Sequence, residues 1–144
     1  MRIAEVLRFK GKGVTTVRSV DTVEAAVRKL AEDRIGALVV TDRWGRLVGM
    51  FSERDVVQGL ARHGTGALGY EVHELMATDV TTCGPADRID EVMSVMTAHR
   101  VRHLPVMEAG SLVGIISIGD LVKYRLDEKE QEANVLRDIT RARI

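Results

Sequence analysis

The chain states one pattern twice, and this constrains its fold more than any other feature. Val14-Thr15-Thr16 returns as Val80-Thr81-Thr82, Leu47-Val48-Gly49 as Leu112-Val113-Gly114, and Ser52-Glu53-Arg54-Asp55 as Ser117-Ile118-Gly119-Asp120. The copies lie 66 residues apart up to Val40 and Val106, and 65 apart beyond them. The second copy therefore has a turn one residue shorter. Duplicated folding units tolerate a deletion in a surface turn, whereas chance similarity would lose register across it. The repeat predicts two equivalent units whose polar residues can be read against each other.

Each unit reads as β-α-β-β-α. In the first, residues 14–17 form a short strand and Asp21 caps a helix, with Glu24 as its capping-box partner. Val23, Ala26, Val27, Leu30 and Ala31 recur at helical spacing as the buried stripe of that helix. Residues 37–40 and 47–51 make a hairpin around Asp42-Arg43-Trp44-Gly45, and Asp55 opens a helix carrying Val56, Val57, Leu60 and Ala61. In the second unit Asp87 caps a helix whose apolar face is Ile89, Val92, Met93 and Met96. Residues 104–107 and 112–116 make the hairpin around Glu108-Ala109-Gly110, and Asp120 opens the last helix.

The organisation expected is an N-terminal segment (residues 1–13), a first unit (14–62), a connection (63–79), a second unit (80–126) and a C-terminal helical tail (127–144). The N-terminal segment holds a short amphipathic stretch (Ile3, Val6, Leu7) and a basic loop, Lys10-Gly11-Lys12-Gly13. Val72, Leu75 and Met76 suggest a short helix in the connection. In the tail Val135, Leu136 and Ile139 suggest a helix docking a weak apolar face, for instance on a partner subunit. One unit alone buries too little surface to be expected to fold by itself. Two packed side by side give an α/β (α+β) fold with pseudo-twofold symmetry, whose clefts come in pairs.

Composition excludes several function classes. Lys plus Arg number 21 against 21 Asp plus Glu, so no bulk field favours nucleic acid or an anionic membrane. Two Phe, two Tyr and one Trp give no base-stacking surface. A single cysteine, Cys83, permits no internal disulfide and fits a reducing compartment. With neither a signal-peptide core nor an apolar run long enough for a membrane, a cytoplasmic location is expected.

The residues that carry chemistry follow from the repeat. A strand ending in Gly-x-x-Ser, with an aspartate three residues after the serine, puts a hydroxyl and a carboxylate at one helix N-terminus. Free N–H groups and the serine suit a phosphate, while an aspartate can accept both hydroxyls of a ribose. Plain N-capping is the competing explanation, since Ser and Asp are usual caps. Two copies in register weaken it. His63, His73, His99, His103 and Cys83 offer only one pair at ligand spacing, His99 and His103, so no metal site is expected. Lys10-Gly11-Lys12-Gly13 lacks phosphate-loop spacing and reads as a solvated linker, or as electrostatic help to a nearby phosphate.

The duplicated unit resembles a pair of CBS domains, a Bateman module, over nearly the whole chain. The residues that carry the likeness are Thr22-Val23-Glu24-Ala25-Ala26, Arg34-Ile35-Gly36-Ala37-Leu38-Val39-Val40, Arg100-Val101-Arg102-His103-Leu104-Pro105-Val106 and Leu112-Val113-Gly114-Ile115-Ile116-Ser117-Ile118-Gly119-Asp120. The resemblance implies adenosine-nucleotide binding (AMP, ATP or NAD) in clefts between the motifs. One cleft would use Asp120 on ribose and Ser117 on phosphate, with the base against Val14-Thr15 and Ile35-Gly36-Ala37. The other would use Asp55 on ribose and Ser52 and Arg54 on phosphate, with the base against Val80-Thr81 and Val101-Arg102-His103. Arg102 could reach phosphates from either side.

Arg54 faces Gly119 across the repeat and Glu53 faces Ile118, so the clefts are expected to differ in affinity. The resemblance further implies a regulatory homodimer without catalysis, read by an unidentified effector protein. Two other classes stay open: a small nucleotide-processing enzyme using Asp55 or Asp120 as general base, and a structural dimerisation protein with vestigial sites.

Overall fold

The computed structural model describes residues 1–11 and 13–142; Lys12, Arg143 and Ile144, part of the basic loop and of the tail, lie outside them. The chain opens with α1 (Ile3–Lys10). The first unit is β1 (Thr16–Arg18), α2 (Val23–Asp33), β2 (Ala37–Thr41), β3 (Leu47–Ser52) and α3 (Glu53–His63). Two 3-10 turns, Gly64–Gly69 and Val72–Glu74, fill the connection. The second unit is α4 (Ile89–His99), β4 (His103–Glu108), β5 (Ser111–Ser117) and α5 (Ile118–Ala142). β1 pairs parallel with β2 and β2 antiparallel with β3, while β4 and β5 form the second hairpin.

The expected first strand of the second unit does not form. Where Thr16 pairs with Val39 in the first unit, Thr82 would have to pair with Pro105. That parallel bridge needs an N–H from residue 105 to the carbonyl of residue 81, and proline has none. Only the next position survives, where Cys83 donates to Pro105 O at 3.0 Å and Met107 donates to Cys83 O at 2.8 Å.

The two expected aspartate caps are also corrected. Thr22 caps α2, accepting the Ala25 N–H at 3.1 Å, and Glu24 pairs with Arg28 instead of closing a capping box. Arg88 precedes α4 with no side-chain cap. Asp21 and Asp87 share another role: each accepts the N–H three residues upstream, from Arg18 and Gly84, at 2.9 and 2.8 Å. Both helices end on an arginine in the left-handed region, Arg34 (φ 53) and Arg100 (φ 55). Ala31, expected in the buried stripe of α2, is exposed.

Two cores form, and each is closed by a segment from outside its unit. The first contains Val17, Val23, Leu30, Leu38 and Phe51, covered by Val72, Leu75 and Met76 of the connection. The second contains Ile89, Val92, Met96, Leu104, Ile116 and Leu121, covered by Ile3 and Val6 of α1. Equivalent glycines let these segments seat. A Cβ on Gly49 would lie 2.8 Å from the Ala77 carbonyl oxygen, and one on Gly114 would lie 2.7 Å from Leu7 Cδ2. Gly49→Ala meets fixed backbone, whereas Gly114→Ala meets a side chain that can turn aside. Gly49→Ala is expected to cost about 1–3 kcal/mol by urea unfolding, and Gly114→Ala clearly less; equal costs would contradict this packing.

The C-terminal tail is not a separate helix. α5 runs unbroken from Ile118 to Ala142, and Val135, Leu136 and Ile139 stay exposed at 56%, 65% and 46%. No described helix is long and apolar enough to cross a membrane.

Candidate functional site

The repeated Ser-x-x-Asp folds in both units as reciprocal capping. The strand residue Ser52 turns extended (φ −120) and α3 starts behind it. Its N–H donates to Asp55 Oδ2 at 2.8 Å, and the Asp55 N–H reaches Ser52 Oγ at 3.4 Å. At α5 the Ser117 N–H donates to Asp120 Oδ2 at 2.9 Å and the Asp120 N–H to Ser117 Oγ at 3.0 Å. The capping explanation is thus realised in full, but it engages only Oδ2 of each carboxylate. Among the described residues, neither Oδ1 has a hydrogen-bond partner. Capping and ligand binding are therefore compatible at both sites.

Around Asp55 lies a cavity of about 560 Å³ at the junction of the two units. It gathers Ser52, Arg54, Asp55, Val80, Thr81, Val101, Arg102 and His103, the set expected for this cleft. Gly36 and Ala37 line it as well, although they were expected against Asp120. The flat ring beside Gly36 is the imidazole of His103: a Cβ at Gly36 would lie 3.1 Å from its Cε1. Burial, then the Lys10 cation, lowers the His103 pKa below 6.5, against the pull of Asp120 and Glu53. The ring is thus neutral at pH 7 and resists protonation, so acidification below about 6.5 disfavours the folded state at this residue.

Five wall residues are not among those the sequence points to: Met50, Ala77, Asp79, Arg100 and Leu104. The Met50–Ala77 bridge brings the connection to the wall, and the connection is not part of the repeat. Arg100 had a signal in its match to Arg34 at a helix end. The lining carries three guanidinium groups (Arg54, Arg100, Arg102) against three carboxylates (Glu53, Asp55, Asp79).

The surroundings of Asp120 differ, and the residues expected against it are not gathered there, Gly36 and Ala37 lining the Asp55 cavity instead. Lys10, expected in a loop, ends α1 and sets its Nζ 2.7 Å from Asp120 Oδ2 and 2.9 Å from Ile115 O. Burial alone would raise the Asp120 pKa, but the hydrogen bonds from Lys10 and the Ser117 N–H hold it below 3.8. Thr15 donates its hydroxyl to Asp33 at 2.9 Å, and Ile35 packs on the first core. Val14 is half-buried, and Gly119 has ordinary space, its Cβ position 3.6 Å from Ser117 Oγ. Burial pushes the Cys83 thiol up to about 12, so it is protonated at neutral pH and unsuited to nucleophilic or metal chemistry. Among the described residues no group of three or more His, Cys, Asp or Glu could hold a metal ion.

Comparison with known proteins agrees with this architecture. The family model described as "CBS domain" matches residues 8–62 and 72–127. A CBS-domain containing protein from Agrobacterium tumefaciens superposes with a TM-score of 0.84 at 41% identity, over 86% of this chain and 92% of that one. The CBS domain-containing protein YhcV of Bacillus subtilis is 28% identical over 91% of both chains. The CBS domain pair of protein MJ0100, solved in complex with 5′-methylthioadenosine and S-adenosyl-L-methionine, shares the fold (TM-score 0.79, 22% identity, 89% of this chain and 98% of that one).

Proposed function

The chain belongs to the CBS-domain family, as a tandem pair, and from that premise we propose that it is a regulatory module whose Asp55 cavity binds an adenosine nucleotide. The observation that carries this is the cavity itself. It holds a helix-start Ser-x-x-Asp with one unengaged carboxylate oxygen, and three arginines are among the residues that line it. Asp55 would receive the ribose hydroxyls, and Ser52 and Arg54 the phosphate. The adenosine compounds bound by the CBS pair of MJ0100 belong to the same ligand class.

The equal count of carboxylates and guanidinium groups sets a preference within that class. Glu53 and Asp79 repel a highly charged triphosphate, so AMP or NAD suits the cavity better than ATP. AMP at about 100 times its dissociation constant adds roughly 2.7 kcal/mol of stability per site. The expected result is a clear rise in melting temperature with AMP and a smaller one with equimolar ATP. Flat curves with every adenosine nucleotide at millimolar levels would sink the reading.

Signalling requires a geometry that a partner can read. Val57, Leu60, Val122 and Leu126 are exposed on α3 and α5, at 65%, 38%, 42% and 62%. We propose that they meet their copies in a symmetric homodimer in the cytoplasm, where bound nucleotide shifts the population of dimer geometries. An effector protein, rather than nucleic acid or membrane, reads the result, and the module does no chemistry of its own. Light scattering is expected to show a dimer at tens of micromolar, and a weaker one after truncation at Leu126. A full-length monomer contradicts this assembly.

A further inference from the structure

We infer that Lys10 is a ligand-binding residue of the Asp120 cleft, supplying the cation that the second repeat lacks. This rests on the nucleotide reading above and extends it to the second site. Across the repeat, Arg54 is answered by Gly119, so the second Ser-x-x-Asp has no cation of its own. Lys10 arrives from α1 and places its ammonium on Asp120 Oδ2 and Ile115 O, at 2.7 and 2.9 Å. The first cleft receives nothing similar from the matching segment: the residue 66 positions on is Met76, an apolar side chain packed against the first core.

The placement is firm because α1 is anchored. Ile3 and Val6 are 0% and 2% exposed in the second core, and Leu7 seats against Gly114, next to Ile115. An ammonium has three N–H groups, and Asp120 and Ile115 accept two of them. The Lys10 and Asp120 side chains keep 31% and 25% exposure, which leaves the third N–H open to an anion from the cleft. Lys10 also neutralises Asp120, which would otherwise repel a phosphate. A nucleotide would thus find its ribose acceptor at Asp120 Oδ1 and its phosphate donor at Lys10, where a nucleoside uses only the first.

The test is calorimetric titration with AMP and with adenosine in an Asp55→Ala background, which leaves the Asp120 cleft as the reporter. Lys10→Met is expected to lower AMP affinity about tenfold or more and to change adenosine affinity less than twofold. Lys10→Arg is expected to keep AMP binding. Gly119→Arg added to Lys10→Met is expected to restore much of it, since that position has room for a side chain. AMP affinity that is unchanged or improved by Lys10→Met overturns the inference, as does a parallel loss of adenosine, which marks Lys10 as merely structural. If Lys10→Met does not fold, Lys10→Arg decides: retained AMP binding supports the inference, and its loss overturns it. A parent protein that binds no AMP at all overturns the nucleotide reading, and this inference with it, whereas AMP binding in the parent that Asp55→Ala abolishes overturns this inference alone.

Discussion

Asp55→Ala is expected to weaken AMP binding in the large cavity by about ten- to a hundredfold, the cost of losing hydrogen bonds to a charged acceptor. The same substitution removes the carboxylate that accepts the Ser52 N–H at 2.8 Å, so it also costs about 1 kcal/mol of stability. The two effects separate by measurement. Calorimetry reads the first and urea unfolding the second, and Asp55→Asn sharpens the division, because an amide oxygen can still cap Ser52 without a charge for the ribose. Unchanged AMP affinity in Asp55→Ala, beside the expected loss of stability, would mean that the carboxylate serves the helix alone.

Phe51→Ala is expected to have the largest effect on the fold, about 3–5 kcal/mol by urea unfolding. Phe51 is 0% exposed at the centre of the first core, among Leu38, Val23 and Val72, and the chain passes directly from it to Ser52. The loss should appear as one cooperative transition. α1 precedes the first unit in the chain yet packs on the second core, and His103 of the second unit lies against Gly36 of the first, so the two units are expected to unfold together. Two separated transitions in Phe51→Ala, with the second unit melting at its normal midpoint, would contradict that interdependence.

How much of this was legible in the sequence depended on how local the deciding contact was. The Leu-Val-Gly-x-x-Ser-x-x-Asp stretches were readable because strand, cap and helix start all lie within nine residues, and α3 and α5 begin there. The helix caps at Asp21 and Asp87 are misplaced because both carboxylates turn back to the N–H three residues upstream, of Arg18 and Gly84, which leaves Thr22 to cap α2 and α4 without a side-chain cap. The missing strand at residues 80–82 was decided by Pro105, whose absent N–H matters only once β4 lies alongside. The tail reads as separate in the sequence because residues 127–132 are strongly polar. Polarity does not stop a helix, and that stretch of Asp, Glu, Lys and Gln has neither Gly nor Pro to break it.

The candidate site divides along the same line. Around Asp55, the repeat itself marks Ser52 and Asp55, whereas Val80, Thr81, Val101, Arg102 and His103 are implied only by the resemblance to a pair of CBS domains. Lys10 could not be placed, because its contact with Asp120 spans 110 residues and has no equivalent in the other unit. Asp79 and Ala77 belong to the connection, which the repeat does not mark. His103 was expected against a base, and in this structure its ring fills the space over Gly36 that the absent side chain leaves.

A crystal structure of the protein grown with saturating AMP tests the central claim most directly. The expected result is AMP in the cavity between the two units, with its ribose hydroxyls on Asp55 Oδ1 and its phosphate among Ser52, Arg54 and Arg102. A structure at the same AMP concentration whose Asp55 cavity holds only water would contradict it.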